Sequence, residues 1–304
     1  MIRVSTIIPT YNNEATLAQA IDSALAQHVD GQEIIVVNDG STDCTHAIAA
    51  GYEERIRLIE QPNRGFNRSR NAAIRIARGE YVAFLDADDI WLPRRLELTC
   101  AALDRNPPAV VAFSDVIPLD ENGTCGAPWI VGRAPSLADL LTRGWRIYPS
   151  AATIRRSTLV ACGGFNEQLT NLSDIYLWLC AREYGEFEYV REPLTIYRTT
   201  DFTRIGDKYG VGRKAFARAL RDRFGRAALP LTADIDQVLA SSLLAKAVRE
   251  ADRGDLFSAC RATVSAVRLC PIYLLRSGLI TRIFRPQNLS RLYRPSGRSY
   301  DSRQ

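Results

Sequence analysis

The stretch Tyr81-Val82-Ala83-Phe84-Leu85-Asp86-Ala87-Asp88-Asp89 constrains the fold of this chain more than any other. A mostly apolar run leads directly into a cluster of carboxylates. Tyr, Val and Phe suit a β-strand, and an unbroken apolar run suits one buried on both faces. Asp86, Asp88 and Asp89 then stand at the C-terminal end of that strand, where open α/β sheets bind their ligands. Carboxylates packed this closely repel one another unless a cation neutralises them. Hard oxygen donors suit Mg2+ or Mn2+, and Mg2+ is commonly held by one or two carboxylates plus substrate phosphates. The alternative is a strand-to-helix turn whose aspartates cap a helix beginning near Trp91-Leu92-Pro93.

The preceding residues repeat the same grammar. Val4 to Ile8 is an apolar run ended by Pro9. Asn12 or Asn13 can cap a helix to about Gln27, with Leu17, Ile21, Ala24 and Leu25 on one face. Glu33 to Val37 is a second buried-strand run, ending in the turn Asn38-Asp39-Gly40-Ser41-Thr42-Asp43. Ile56 to Glu60 is a third strand. Asn67 to Arg78 reads as a helix that Gly79 stops. Tyr81 to Leu85 is the fourth strand. This β-α-β-α-β-α-β rhythm implies a parallel sheet with right-handed crossovers. The loops at Tyr11-Asn12-Asn13, Asp39 and Asp86 to Asp89 therefore fall on one sheet edge.

Beyond about residue 109 the pattern changes. Ala109 to Ser114, Ala151 to Ile154, Glu188 to Val190 and Leu194 to Tyr197 read as strands. Ser136 to Thr142 and Ser173 to about Tyr184 read as helices. After about residue 200 the chain reads as mainly helical, with Ala233 to Ala251 and Leu256 to Leu269 forming a helical hairpin.

Bulk properties narrow the function classes. The net charge is +5, carried by arginine, since Lys208, Lys214 and Lys246 are the only lysines. From Pro271 onward there are seven arginines and a single acid, Asp301. Such a tail suits acidic lipid headgroups or nucleic acid, or is a solvated end. Seven scattered cysteines without a CxxC pair point to reduced thiols in a cytosolic setting. No signal peptide is expected ahead of the first strand, and no run of about 18 apolar residues predicts a membrane span. His28 and His46 are the only histidines, which leaves little material for a histidine triad or zinc-hydrolase centre.

Taken in order, five motifs resemble the family 2 glycosyltransferases of GT-A fold over roughly residues 2 to 198. They are Val4 to Asn12, Glu33 to Asp43, Asn63-Arg64-Gly65 with Arg70-Asn71, Leu85 to Asp89, and Gly163-Gly164-Phe165 leading to Ser173 to Leu179. The resemblance implies an α/β GT-A fold, Rossmann-like, with a mostly parallel central sheet flanked by helices and a mainly helical C-terminal extension. Residues 1–110 would be the nucleotide-sugar-binding half and 111–200 the acceptor-binding half of one domain. Residues 201–304 would be the extension with its Arg-rich tail.

It further implies an inverting transfer of a sugar from a nucleotide-diphosphate donor, a UDP-sugar by family expectation, to an acceptor hydroxyl. Asp88 would ligate Mg2+ or Mn2+, and Asp86 would lie near the ribose or donor sugar. Asp89 would stand behind the metal or cap a helix. Pro9 and Tyr11 match the loop that holds the base, and Asp39 matches the acid that accepts from a base N–H. Asn38 stands where the family commonly has an acid. Arg70 would approach the diphosphate or neutralise the acids, or be a solvated helix arginine. Asp174 would be the general base; Ser173 replaces a Glu often found beside it. Trp178 suits the core, while Trp129 and Trp145 could stack on sugars.

The implied partners are the donor and a carbohydrate or lipid-linked glycan acceptor, with no nucleic acid. The setting would be bacterial polysaccharide or glycolipid assembly in the cytoplasm, with peripheral contact to the inner face of the plasma membrane through the Arg-rich C-terminus. Two alternatives stay open: a nucleotidyltransferase on a similar sheet, and a non-catalytic scaffold that docks to membranes.

Overall fold

The computed structural model describes residues 2–143, 147–170, 172–199 and 215–225, together with Ala247, Ser258 and residues 260–264. Two compact units divide the chain: residues 1–201 with 211–231, and residues 202–210 with 232–304. The expected helical hairpin and the Arg-rich tail lie outside the described residues, apart from short helical pieces at 247, 258 and 260–264. Trp145 also lies outside them.

Over residues 4–198 the first unit runs in the order β1 (Val4–Thr10), α1 (Leu17–Leu25), β2 (Gln32–Asn38), α2 (Thr45–Ala50), β3 (Arg57–Glu60), α3 (Phe66–Ile76), β4 (Tyr81–Phe84), β5 (Ile90–Trp91), α4 (Arg95–Arg105), β6 (Ala109–Leu119), α5 (Leu137–Arg143), β7 (Ala152–Arg155), α6 (Arg156–Ala161), α7 (Ser173–Arg182) and β8 (Glu186–Arg198), and residues 215–224 are also helical. A 3-10 turn at Pro149–Ala151 precedes β7. The strands form one sheet in the order β3-β2-β1-β4-β7-β6-β8-β5. The β3-β2-β1-β4 half is entirely parallel. In the other half β7 runs antiparallel to both β4 and β6, β6 and β8 are parallel, and β5 is antiparallel to β8.

Local chemistry explains most of the elements. β1, β2 and β4 are almost wholly buried, as strands covered by helices on both faces must be. Helix α1 puts Leu17, Ala20, Ile21 and Ala24 into that core at helical spacing. Ser136 begins α5 with a reciprocal cap: the Asp139 N–H donates to Ser136 Oγ at 3.1 Å, and the Ser136 N–H donates to Asp139 Oδ2 at 3.0 Å.

Several expectations are corrected. β1 does not stop at Pro9 but runs to Thr10. Ile7 gives its carbonyl to Leu85 on the β4 side, while Thr10 accepts from Asp39 on the β2 side. Pro9 therefore faces the side where β4 has already ended, and its missing N–H breaks no ladder bond. Helix α3 ends before Gly79; a Cβ there would sit 2.5 Å from the Ser5 nitrogen, so the glycine permits close passage of β1. The helix expected near Trp91-Leu92-Pro93 is α4, which begins at Arg95 with no side-chain cap from the aspartates. Ahead of it, Ile90 and Trp91 pair with Ile196 and Thr195 of β8. The two short strands expected at 188–190 and 194–197 are one long strand, β8, whose register shifts against Ser114, Asp115 and Val116 absorb Pro193.

Candidate active site

Three loops meet at the C-terminal edge of the parallel half-sheet, as its topology requires. The β1–α1 and β2–α2 loops are laced together. Asn12, in a left-handed conformation (φ 53°), donates its N–H to Ser41 Oγ at 3.0 Å and accepts the Thr42 N–H at 2.8 Å. The Asn13 N–H donates to Thr45 Oγ1 at 2.8 Å, and Glu14 accepts the Cys44 N–H at 2.9 Å. Pro9 is buried at the root of this assembly and Tyr11 is half-buried above it.

Asp39 follows β2 and is 3% exposed. Its Oδ1 accepts from Gln61 Nε2 at 2.6 Å and from the Arg64 N–H at 2.9 Å, and its Oδ2 accepts the Gly65 N–H at 2.7 Å. It thus fixes the Asn63-Arg64-Gly65 segment at the start of α3, where Gly65 turns with φ 89°. Asn38 donates to Glu60 at 3.4 Å and accepts the Ser41 N–H at 3.1 Å, so an amide here bonds in both directions.

The acidic turn after β4 is held from behind. The Asp86 N–H donates to Ser150 Oγ at 3.0 Å, and that hydroxyl donates onward to Asp89 Oδ2 at 2.5 Å. The Arg198 N–H, at the end of β8, donates to Asp89 Oδ1 at 2.9 Å. Asp89 is therefore a buried anchor, not a helix cap. Burial, then the charges of Asp88 and Asp86, push its carboxyl well above the ordinary value. Burial and the charge of Asp86 push Asp88 up to about 6, against the lowering fields of Arg198 and Arg70. Asp86 and Asp88 are half-buried.

Arg70 is not a solvated helix arginine. Its Nη2 donates to Asp86 Oδ1, its side chain is 9% exposed, and its guanidinium lies 4.9 Å from the centre of the Phe165 ring. Phe165 packs edge-on against Phe84 at 5.1 Å. The Gly163-Gly164-Phe165 loop reaches α3 through Asn71, which donates to the Phe165 carbonyl at 2.8 Å and accepts its N–H at 2.9 Å. A Cβ at Gly164 would meet Asn71 Oδ1 at 2.5 Å. Two of the five motifs are thus the two halves of one contact.

Asp174 lies in the first turn of α7, half-buried. Burial raises its carboxyl above the ordinary value; Arg70 acts to lower it and Asp86 to raise it. Those fields join Asp174 electrostatically to the acidic turn. Next to it, Ser173 Oγ donates to Asn67 Oδ1 at 2.7 Å, and Asn67 Nδ2 donates to the Asn166 carbonyl at 3.1 Å. Trp178 is wholly buried, and its Nε1 donates to the Ile147 carbonyl at 2.8 Å, so it belongs to the core.

Ser150, Asn67 and Arg198 carry the site but gave no signal in the sequence, because each acts across a long separation. Behind them stands Arg95, fully buried, whose guanidinium donates to Thr153 Oγ1 at 2.7 Å and to the Ala152 carbonyl at 2.6 Å, 4.3 Å from the Trp91 ring. Burial pulls its pKa down to about 9.

The residues present suit a divalent ion. Asp88 offers hard oxygens, and the burial and the Asp86 charge that together raise its pKa are both penalties that a cation relieves. Among the described residues no three His, Cys, Asp or Glu side chains converge as a ready-made cage. An ion at Asp88 would therefore draw its remaining oxygens from phosphate and water.

This sheet, with its acidic turn at the edge of the parallel half, is that of a GT-A glycosyltransferase. The chain belongs to glycosyl transferase family 2, whose profile matches residues 5–160. It is 32% identical over 218 residues to EpsE of Bacillus subtilis (strain 168), which is named as a glycosyltransferase; the match covers 66% of this chain and 77% of EpsE. It is 29% identical over 196 residues to a chondroitin synthase of Escherichia coli, covering 62% of this chain but only 28% of that protein. Among solved structures, S. aureus TarS (residues 1–349) in complex with UDP-GlcNAc superposes with a TM-score of 0.60 at 22% identity, covering 95% of this chain and 89% of that one. The mannosyltransferase PcManGT of Pyrobaculum calidifontis, in complex with GDP-Man and Mn2+, superposes with a TM-score of 0.58 at 21% identity, covering 95% and 83%.

Proposed function

We propose that this enzyme transfers a sugar, with inversion, from a nucleotide-diphosphate sugar to an acceptor hydroxyl. The observation that carries the reading is Arg70, which pairs with Asp86 and whose charge also bears on Asp174. One cation thereby links the acidic turn to the one acid on α7 suited to proton abstraction.

In this reading Asp174 takes the proton of the acceptor hydroxyl, which it must approach to about 2.6–3.2 Å. The hydroxyl oxygen bonds to the anomeric carbon as the carbon–oxygen bond to the diphosphate breaks, and the bonding pair leaves with the nucleotide. Asp88 would hold Mg2+ or Mn2+, which when bound offsets charge on the diphosphate. Pro9 and Tyr11 would hold the base, with the ring of Tyr11 stacked on it. Asp39 already accepts at both oxygens, and the second lone pair of Oδ2 would take the base N–H. Asp86 would lie beside the ribose or donor sugar, oriented by Arg70.

A UDP-sugar is the favoured donor, in keeping with the UDP-GlcNAc of the TarS complex. The chondroitin and hyaluronan synthases among the relatives favour a polysaccharide or glycolipid acceptor. Residues 1–110 would serve the donor and 111–200 the acceptor, with 201–304 available for peripheral membrane contact. No helix among the described residues is long and apolar enough to cross a membrane.

The test is donor hydrolysis and transfer across UDP-, GDP- and dTDP-sugars with Mn2+, for wild type, Asp88→Ala and Asp174→Asn. Asp88→Ala should lose metal-dependent donor binding. Asp174→Asn should bind donor normally and lose transfer by roughly two to four orders of magnitude. Absence of nucleotide binding by the wild type throughout the panel would defeat the reading.

A further inference from the structure

Three aromatic rings from distant parts of the chain meet beside the acidic turn. Tyr148 and Tyr197 have ring centres 4.4 Å apart, Trp129 and Tyr148 5.8 Å, and Trp129 and Tyr197 6.1 Å. All three are half-buried, unlike the core aromatics Phe113 and Trp178, which are wholly enclosed.

Each ring is mounted on backbone that is itself fixed. The Trp129 N–H donates to the Val116 carbonyl of β6 at 2.8 Å, and two residues on the Val131 N–H donates to Asp115 Oδ1 at 2.8 Å. Tyr148 lies between Ile147, whose carbonyl binds Trp178 of α7, and the turn carrying Ser150, which binds Asp89. Tyr197 precedes Arg198, whose N–H also binds Asp89. The trio is thus tied on one side to the acidic turn and on the other to the helix that carries Asp174. Burial first, and then the charges of Asp89, Asp86 and Asp88, raise the Tyr197 hydroxyl above its ordinary value, which sets the ring within electrostatic reach of the acidic turn.

Position in the sheet separates this cluster from the nucleotide loops. Those loops follow β1 and β2, whereas the rings ride on β6, on β8 and on the turn before β7, across β4 from them. Half-buried aromatic rings on fixed backbone next to carboxylates match the two sides of a pyranose, whose C–H face is apolar and whose rim is hydroxylic.

We infer that Trp129, Tyr148 and Tyr197 form a stacking platform for the terminal sugar ring of the acceptor. The assignment of this sugar as acceptor rests on the transferase reading above; binding of a free saccharide to the rings does not.

Saturation-transfer NMR with free methyl glycosides of GlcNAc, GalNAc, glucose, mannose and rhamnose tests the platform, with calorimetry of UDP and Mn2+ run in parallel. At least one glycoside should receive saturation on its ring C–H protons from the wild type. Trp129→Ala should reduce that signal roughly five-fold, the scale of one lost aromatic contact. Trp129→Phe should restore most of it, and UDP affinity should be unchanged in both variants. An undiminished signal in Trp129→Ala, no signal for any glycoside with the wild type, or a signal that falls only together with UDP affinity would each overturn the inference. If the wild type binds a glycoside through Trp129 yet no nucleotide, the platform stands and the transferase reading falls.

Discussion

Ser150 and Asp89 are joined by a 2.5 Å hydrogen bond inside the protein, from the serine hydroxyl to Asp89 Oδ2. The same hydroxyl accepts the Asp86 N–H, so one side chain fixes both ends of the acidic turn. The Ser150 carbonyl in turn accepts from Trp91 Nε1 at 2.7 Å and Thr195 Oγ1 at 3.2 Å. The turn that presents Asp88 is therefore positioned by residues on β5, β8 and the segment before β7.

Ser150→Ala should weaken metal-dependent donor binding without touching the donor. The Asp86 N–H and one Asp89 oxygen lose their partner in the interior, at a cost of about 1–3 kcal/mol. Urea unfolding should report that loss, and calorimetry of UDP with Mn2+ should show a raised Kd. A variant with wild-type stability and affinity would show that the hydroxyl holds nothing of consequence.

Asp174 should titrate above an ordinary aspartate, because burial raises it and Arg70 only partly compensates. As the proposed general base Asp174 would work deprotonated, so the acid limb of kcat/KM should lie above the pH set by an ordinary aspartate. Arg70→Met removes a lowering charge and should move that limb to higher pH, besides impairing donor binding. The pH profile of transfer at saturating donor checks this; an unmoved or lowered limb contradicts it.

Gly164→Ala should destabilise the protein by roughly 2 kcal/mol, since φ is 73° and the new methyl meets Asn71. Pairing it with Asn71→Ala should give less than the sum of the two losses, because the clash is then relieved while the backbone strain stays. Strict additivity of the unfolding free energies would deny the contact.

Glu33 supplies an acid-sensitive part of the stability. Burial raises its carboxyl, but bonds from Ser5 Oγ at 2.6 Å and the Arg78 N–H at 2.7 Å outweigh it and hold it below 4.5. A carboxyl depressed by folding contributes stability above its unfolded value and loses it as pH falls through the folded one. Glu33→Gln should therefore cost roughly 2 kcal/mol at pH 7 and flatten the fall in stability below pH ~4.5. Urea midpoints between pH 7 and pH 3 read both effects.

The parallel half of the sheet was legible in the sequence because its signals are local. A buried strand is a short apolar run, a crossover helix has its own period, and parallel pairing then forces the polar loops to one edge. The positions of Asp39, Asp86, Asp88 and Asp174 in the fold were legible for the same reason, each standing at the end or start of such an element. The mixed half was harder. β8 reads as two pieces because Pro193 interrupts it, and only pairing with β6 through shifted register makes it one strand. Asp89 could equally have capped a helix until β5 and the Ser150 hydroxyl claimed it.

What the sequence determined by itself was the order of strands in the parallel half, the edge on which the acids gather, and the family those motifs share. Tertiary structure alone decided that Arg70 joins Asp86, that Asp39 clamps the start of α3, that Asn71 receives the Gly164 loop, and that three aromatic rings meet beside the aspartates. Periodicity and turn chemistry act over a few residues and are written in the chain. Each of those contacts spans a longer stretch of sequence, from Arg70 to Asp86 up to Asn71 to Phe165, so it exists only once the sheet has closed the distance.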